Sequence, residues 1–93
     1  MEVFVSRHTR VEVSSGVCYG QTDVRLCESY LEEIENFKHR IPTNLDCVFS
    51  SPLQRCLQVA KTFTDHTITD NRLMEMNFGL WEMKTWNEIP LID

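Results

Sequence analysis

The middle of the chain restricts the possible folds most, because a helix with clear start signals lies between two short strands. Ser51 is placed to cap this helix, Pro52 suits its first position, and Gln54 completes a capping box with Ser51. The flanking strands are predicted at residues 46–50 and 67–69. A strand, a helix and a second strand in this order predict a parallel pair joined by a right-handed crossover.

Two further elements are predicted before this unit. Residues 2–6 form a short apolar strand, residues 9–25 a loop, and residues 26–41 a helix that Pro42 ends. The predicted buried faces consist of Cys27, Tyr30, Leu31, Ile34, Phe37 and Ile41 on the first helix, and of Leu53, Cys56, Leu57, Ala60 and Phe63 on the second. The alternation of strands and helices predicts an α/β fold with a mainly parallel sheet.

Length and charge exclude several classes of protein. A chain of 93 residues is enough for one small domain. Its net charge of −5 argues against binding to nucleic acid. The apolar runs are too short to span a bilayer, and the N-terminus lacks a signal-peptide pattern. We therefore expect a cytoplasmic protein with neither nucleic acid nor membrane as a partner.

The four cysteines are interpreted as reduced thiols in core or boundary positions. Cys18, Cys27, Cys47 and Cys56 are spaced too widely for a CxxC pair, so a zinc site is a weak hypothesis. Nothing indicates the oxidising compartment in which a disulfide scaffold forms. A nucleophilic Cys56 beside Arg55 is the alternative, but Cys56 falls on the apolar face of its helix, which favours packing.

A histidine between two arginines follows the apolar residues 3–5, in the sequence Arg7-His8-Thr9-Arg10. These side chains suit phosphoryl transfer, because an imidazole nitrogen can attack phosphorus while Arg7 and Arg10 hold the phosphate oxygens. The alternative is a structural histidine at the end of a strand. The flanking arginines favour the chemical interpretation.

Arg55 and Glu75 supply the remaining parts of such a site. Arg55 and the backbone N–H groups at its helix N-terminus would bind an anion, and Glu75 would protonate the leaving oxygen and then activate water. Each residue has a plainer alternative as a surface charge. Because His8, residues 51–55 and Glu75 all follow predicted strands, we expect them to meet at the sheet edge where open α/β folds bind ligands.

The other polar and apolar candidates have ordinary interpretations. His39 and His66 lie in polar surroundings and are expected to be solvated. Glu82 is assigned a surface or capping role in preference to that of a second carboxylate in the site. The apolar tail, expected to pack within the fold or on a partner, contains Leu80, Trp81, Met83, Trp86, Ile89, Leu91 and Ile92.

These segments together resemble the histidine phosphatase superfamily, the phosphoglycerate-mutase-like enzymes. Arg7-His8 resembles its Arg-His-Gly signature, and residues 50–55 (Ser-Ser-Pro-Leu-Gln-Arg) resemble its Ser-Ser-x-x-x-Arg segment. Residues 73–82 are similar to its Leu-x-Glu-x-x-Phe-Gly-x-Trp-Glu segment. The resemblance implies a three-layer α/β/α sandwich, with His8 and Glu75 as catalytic residues and Arg7, Arg10 and Arg55 as phosphate ligands.

Residues 18–23 (Cys-Tyr-Gly-Gln-Thr-Asp) are similar to the substrate-side loop of this superfamily. Tyr19, Gly20 and Gln21 are therefore expected to contact the substrate. This loop and the Arg-His-Thr-Arg opening most resemble bacterial α-ribazole phosphatases, which remove the 5′-phosphate of α-ribazole phosphate in cobalamin biosynthesis. The resemblance implies hydrolysis of a small phosphorylated metabolite through a phosphohistidine. It implies no metal or other cofactor, because the arginines neutralise the charge.

The chain also departs from the family pattern. Thr9 stands where most members have glycine, and Arg10 replaces an acidic or amide residue. Family members are usually nearly twice as long and carry a second pocket histidine beyond the position of Asp93. We therefore expect residues 1–93 to be the N-terminal portion of one histidine phosphatase domain.

Three alternative functions stay open. A phosphoglycerate mutase and a broad sugar-phosphate phosphatase share the proposed mechanism. A non-catalytic module that binds phosphate or a partner belongs to a different class, and the missing second histidine favours it. Self-association through the apolar tail is a further hypothesis.

Overall fold

The computed structural model describes residues 1–89. Its helices are α1, Tyr30–Lys38, and α2, Gln54–Ala60, and its strands are β1, Val48–Ser50, and β2, Thr67–Thr69. Single turns of 3₁₀ helix follow at Asn71–Leu73, Gly79–Trp81 and Trp86–Glu88. Long irregular segments therefore lie on both sides of the β1–α2–β2 unit.

β1 and β2 form a parallel pair, with Val48 opposite Thr67 and Ser50 opposite Thr69. α2 connects the two strands and packs against both of them. The pairing extends one step further, because the Asp70 N–H donates to the Ser50 carbonyl oxygen at 3.0 Å. The predicted α/β fold with a parallel sheet is confirmed.

The first helix is shorter than predicted, because the residues before it are held in an extended bridge. Leu26 pairs antiparallel with Val11, and the Cys27 N–H donates to the Arg10 carbonyl oxygen at 2.8 Å. In the same bridge the Arg25 carbonyl oxygen accepts from the Glu12 N–H at 2.7 Å, so it is already engaged where a helix beginning at residue 26 would need its first acceptor. The chain therefore enters α1 only at Tyr30.

The core lies between the two helices and the loop that precedes α1. Leu26, Ile34 and Val59 are buried and pack together. The partly buried side chains around them are Val11, Tyr30, Phe37 and Phe63. This cluster fixes α2, and with it the residues at the start of α2, against α1.

The predicted buried faces of the helices are partly wrong. Leu31 is exposed on α1, while Cys56 and Leu57 are only half-buried on α2. α2 buries Arg55 and Val59 instead. A charged residue takes a core position here because its guanidinium finds backbone carbonyl oxygens there, as described below.

The predicted strand at residues 2–6 does not form. Val3 is 73% and Val5 91% exposed, and within the described chain no backbone–backbone hydrogen bond involves residues 1–9. A strand needs a neighbouring strand for its N–H and C=O groups, and the partner of β1 in this structure is β2. The apolar pattern alone therefore gave a wrong prediction for this segment.

None of the helices within residues 1–89 combines the length and the apolar character that a membrane span requires.

Candidate active site

A backbone ribbon joins the loop before α1 to the C-terminal part of the described chain. The Cys18 N–H donates to the Lys84 carbonyl oxygen, and the Met83 N–H donates to the Cys18 carbonyl oxygen, both at 2.7 Å. The Trp86 N–H donates to the Gly16 carbonyl oxygen at 2.9 Å. The tail is thus held to the fold through its backbone, while the apolar side chains of Leu80, Met83 and Trp86 are exposed, contrary to the expected packing within the fold. Leu91 and Ile92 lie outside the described residues.

Arg55 is buried beneath residues 19–22, which we call the substrate loop. Its side chain is 2% exposed. Nη1 donates to the Thr22 carbonyl oxygen at 2.8 Å, and Nη2 donates to the Gly20 carbonyl oxygen. The guanidinium carbon lies 5.0 Å from the centroid of the Tyr19 ring, within cation–π range. Arg55 therefore organises the loop that the sequence assigned to the substrate.

The Nε of Arg55 is buried and has no hydrogen-bond partner within residues 1–89. The Oγ1 of Thr9, next to His8, is also buried without one in the same part of the chain. A buried polar atom that lacks a partner is destabilising by roughly 1–3 kcal/mol. Both atoms belong to segments that the sequence assigned to the site, so a polar group that reached them would remove this cost.

Glu82 binds the backbone N–H groups of the substrate loop. Its carboxylate accepts hydrogen bonds from the Gly20 N–H at 2.8 Å, from the Thr22 N–H at 2.8 Å and from the Thr22 hydroxyl at 2.7 Å. Burial acts to raise the pKa of Glu82, but these hydrogen bonds outweigh burial and lower it. The carboxylate is thus kept ionised, and the expected capping role is a capping of loop amides.

Gly20 is required by close packing. A Cβ at this position would overlap the Met76 carbonyl oxygen and lie 2.7 Å from the Phe78 ring. The residue is buried. Only glycine lets the loop backbone come this close to the segment that carries Glu75.

The N-terminus of α2 is capped by Asp23, which directly follows the substrate loop, rather than by Ser51. The carboxylate of Asp23 accepts from the Gln54 N–H at 2.8 Å, and the Gln54 side chain donates to the Asp23 carbonyl oxygen at 3.2 Å. Ser51 Oγ accepts only from the Leu53 N–H, at 3.3 Å, and the helix begins at Gln54. The predicted Ser51–Gln54 capping box is therefore wrong.

This cap also changes the expected anion site. The sequence assigned ligand binding to Arg55 together with the N–H groups at the α2 N-terminus. Asp23 places a carboxylate on one of those N–H groups. Within this site, Arg55 is the group that retains a buried donor for an anion.

His8 is half-buried, and its Nδ1 lies 2.7 Å from the Thr9 carbonyl oxygen. A carbonyl oxygen only accepts, so Nδ1 must carry the proton in this hydrogen bond. The neutral ring then has its lone pair on Nε2. His8 is consequently in the tautomer that a nitrogen nucleophile needs.

His8 lines an open groove together with Arg7, Arg10 and Tyr19. Arg7 is exposed. Arg10 is largely turned toward α1, because its Nε lies 3.4 Å from Glu33 Oε1 and its side chain is 75% exposed. The hydrogen bonds from Ser29 and from the Arg10 N–H lower the pKa of Glu33 and keep that partner ionised. A phosphate would compete with Glu33 for Arg10.

Glu75 is exposed, and its Oε1 accepts from the Met76 N–H at 2.9 Å. The pKa of Cys56 is raised chiefly by burial, which outweighs the lowering effects of Arg55 and of a hydrogen bond with Ser51. The charges of Asp23 and Glu75 raise it further. The raised pKa of Cys56 disfavours the thiolate that a nucleophilic cysteine needs.

The described structure thus gathers six of the predicted residues into two groups, while Glu75 does not line the groove of His8. Tyr19, Gly20 and Arg55 form one group, and Arg7, His8 and Arg10 form the other, with Tyr19 at the boundary between them. Gln21 is half-buried within the substrate loop, and His39 and His66 are exposed.

Sequence reasoning missed the structural roles of Thr22 and Asp23, and it assigned Glu82 a surface or capping role without identifying the amides that it caps. Each of them acts on a partner 31 to 62 residues away in sequence. The only available signal was their position inside the two motif segments that carry Tyr19 and Glu75.

The chain is similar to known proteins, both to a family model and to a solved structure. The family model described as the histidine phosphatase superfamily (branch 1) matches residues 3–91. The chain is similar to the crystal structure of a phosphoserine phosphatase from Entamoeba histolytica in complex with 3-phosphoglyceric acid, with a TM-score of 0.76 and 28% sequence identity. The match covers 87% of this chain and 43% of that one, so the chain spans less than half of its structural relative. No curated protein matches the chain.

Proposed function

Because the chain belongs to the histidine phosphatase superfamily, we propose that its residues act in phosphomonoester hydrolysis through a phosphohistidine at His8. The observation that carries this proposal is the hydrogen bond between His8 Nδ1 and the Thr9 carbonyl oxygen, which in a neutral ring leaves Nε2 as the nucleophile. The groove that His8 shares with Arg7 and Arg10 supports it, since arginines are suited to bind phosphate oxygens.

The proposed reaction has two steps. The His8 Nε2 lone pair attacks phosphorus, the bond from phosphorus to the ester oxygen breaks, and Glu75 gives its proton to that oxygen. Glu75 then takes a proton from water, whose oxygen attacks the phosphohistidine, and the P–N bond breaks. Inorganic phosphate leaves and His8 is neutral again. Arg7, Arg10 and Arg55 stabilise the charge on the phosphate oxygens in both steps.

The substrate we propose is α-ribazole 5′-phosphate. Its support is the similarity of the opening residues 7–10 and of the loop residues 18–23 to those of α-ribazole phosphatases. A second candidate is phosphoserine, which the structural relative favours because that protein is a phosphoserine phosphatase. Both are small phosphorylated metabolites, and they differ in whether the leaving group is a ribose hydroxyl or a serine hydroxyl.

The test is phosphate release from α-ribazole 5′-phosphate, phosphoserine and a generic aryl phosphate. We expect turnover that disappears in His8→Ala and persists in His39→Ala, which removes an exposed histidine. The ratio of kcat/KM among the three substrates assigns the specificity. Movement of phosphate between the positions of 3-phosphoglycerate would instead assign a mutase.

A folded chain without turnover would favour the non-catalytic binding module. For that outcome we propose self-association through the tail, where Leu80 is 88% exposed and Trp86 is also exposed. Sedimentation of the wild type against Leu80→Ser would detect it. We also keep the cytoplasm as the proposed location, because the four cysteines are unbridged in the described chain.

A further inference from the structure

The substrate loop is held through both faces of its backbone by two charged side chains of opposite sign. The N–H groups of Gly20 and Thr22 donate to Glu82, at 2.8 Å in each case. The carbonyl oxygens of the same two residues accept from Arg55. Every backbone polar group of Gly20 and Thr22 thus has a charged partner.

The two clamping residues come from distant parts of the sequence. Glu82 is 62 residues from Gly20, and Arg55 is 35 residues from it. The loop conformation therefore depends on tertiary contacts rather than on local turn preferences. Hydrogen bonds to charged groups contribute more than neutral ones, and a buried backbone group that loses its partner is destabilising.

We propose that Glu82 is a positioning residue for substrate binding, which fixes residues 19–22 so that the Tyr19 ring stays against the Arg55 guanidinium. This inference rests on the proposed function only in taking residues 19–22 as the substrate loop. Glu82 acts through the loop and does not contact the phosphate, because its oxygens are occupied by Gly20 and Thr22.

The occupied oxygens of Glu82 and its lowered pKa separate this role from that of a second proton donor. A general acid works best when its pKa is close to the working pH. The hydrogen bonds from Gly20 and Thr22 lower the pKa of Glu82 despite burial, so it stays ionised. The neighbouring groups that respond to its charge are Cys18, whose pKa is raised by burial and then by Glu82, and Arg55 across the loop.

The experiment follows the amide of Gly20 by NMR while the pH of the ¹⁵N-labelled full chain is lowered. Gly20 is one of three glycines, the others being Gly16 and Gly79, so its resonance is readily assigned. We expect the Gly20 and Thr22 amide protons to shift together as Glu82 is protonated, at a pH below that of exposed glutamates. Glu82→Gln should abolish this joint titration of the two amide protons.

The matched control is Glu88→Gln. Glu88 lies in the same segment and accepts hydrogen bonds from the Thr85 N–H and hydroxyl, which lower its pKa as those of Glu82 do. Glu88→Gln should leave the pH titration of the Gly20 amide proton unchanged. A Gly20 amide in the wild type that does not titrate with Thr22 would overturn the proposal, even if Glu82→Gln failed to fold.

Kinetics supply the second measurement where the chain turns over. Glu82→Gln should raise KM by about 10-fold with a much smaller change in kcat, because it loosens substrate positioning and leaves His8 intact. A loss confined to kcat would contradict a positioning role. The NMR result does not need turnover, so failure of this inference is distinguishable from failure of the proposed function.

Discussion

The Nη1 of Arg55 donates to the Thr22 carbonyl oxygen at 2.8 Å, so a residue expected to bind phosphate is also part of the scaffold of its own site. Two nitrogens of the guanidinium donate to the loop backbone, while its buried Nε has no hydrogen-bond partner within the described chain. Loop geometry and the proposed anion binding therefore depend on the same side chain.

Substitution of Arg55 should lower stability as well as ligand binding. Arg55→Ala leaves the Gly20 carbonyl oxygen without its donor and removes one of the two donors to the Thr22 carbonyl oxygen, so it should reduce the free energy of unfolding by about 2–4 kcal/mol. Arg55→Lys should lose less, because an ammonium group replaces part of the bonding. Denaturant unfolding measures both. Arg7→Ala, at an exposed position, should stay within about 0.5 kcal/mol of the wild type, and equal losses in all three variants would contradict this role.

Gly20→Ala should be destabilising through steric overlap with backbone. The added methyl group would meet the Met76 carbonyl oxygen, and the loop must move to accommodate it. We expect a loss of about 1–3 kcal/mol in thermal or chemical unfolding. Gly16→Ala is the comparison, because Gly16 has φ +83° but open space for a Cβ. A smaller loss for Gly20→Ala than for Gly16→Ala would show that the close approach is unimportant.

Asp23→Ala should weaken the start of α2. The Asp23 carboxylate caps the Gln54 N–H at 2.8 Å, and loss of such a cap is destabilising by about 1 kcal/mol. Asp65→Ala removes an exposed carboxylate of the same type and serves as the control. Unfolding free energies that do not differ between the two variants would mean that Asp23 does not cap the helix.

Stability should fall on acidification in a way that depends on Glu82. Burial raises and hydrogen bonds lower the pKa of this carboxyl, with a net lowering in the folded chain. Its contribution is therefore complete above the ordinary glutamate pKa and is lost as the pH falls through the lowered value. Unfolding across this window should be less pH-dependent in Glu82→Gln than in the wild type. The exposed Glu35→Gln should follow the wild-type curve, and identical slopes for all three would contradict this account.

Local sequence signals predicted the elements that depend on local interactions. The β1–α2–β2 unit was predicted because its helix and its strand at Thr67–Thr69 carry strong periodic patterns. The residue at which α2 begins was not predicted, because the cap is Asp23, 31 residues away from Gln54, rather than a neighbouring residue. The strand at residues 2–6 also failed, since an apolar pattern cannot reveal whether a neighbouring strand is available.

The candidate site likewise contains residues that the sequence predicted and residues whose roles depend on distant partners. Motif resemblance identified His8, Arg55 and Tyr19, and the structure places them around one groove and one loop. The task of Glu82 could not be read from sequence, because a capping carboxylate and a solvated one look alike until the partner amides are known. Arg10 could not be placed for a similar reason, since its partner Glu33 lies on a separate helix.

Detection of a phosphoryl group on His8 is the most direct test of the proposed chemistry. The chain is mixed with a phosphomonoester substrate, denatured in alkali, digested, and the peptide that carries His8 is analysed by mass spectrometry. We expect one phosphoryl group on His8 in the wild type and in His39→Ala, and none in His8→Ala. Phosphate release without any label on His8, or a label on another residue, would contradict the account.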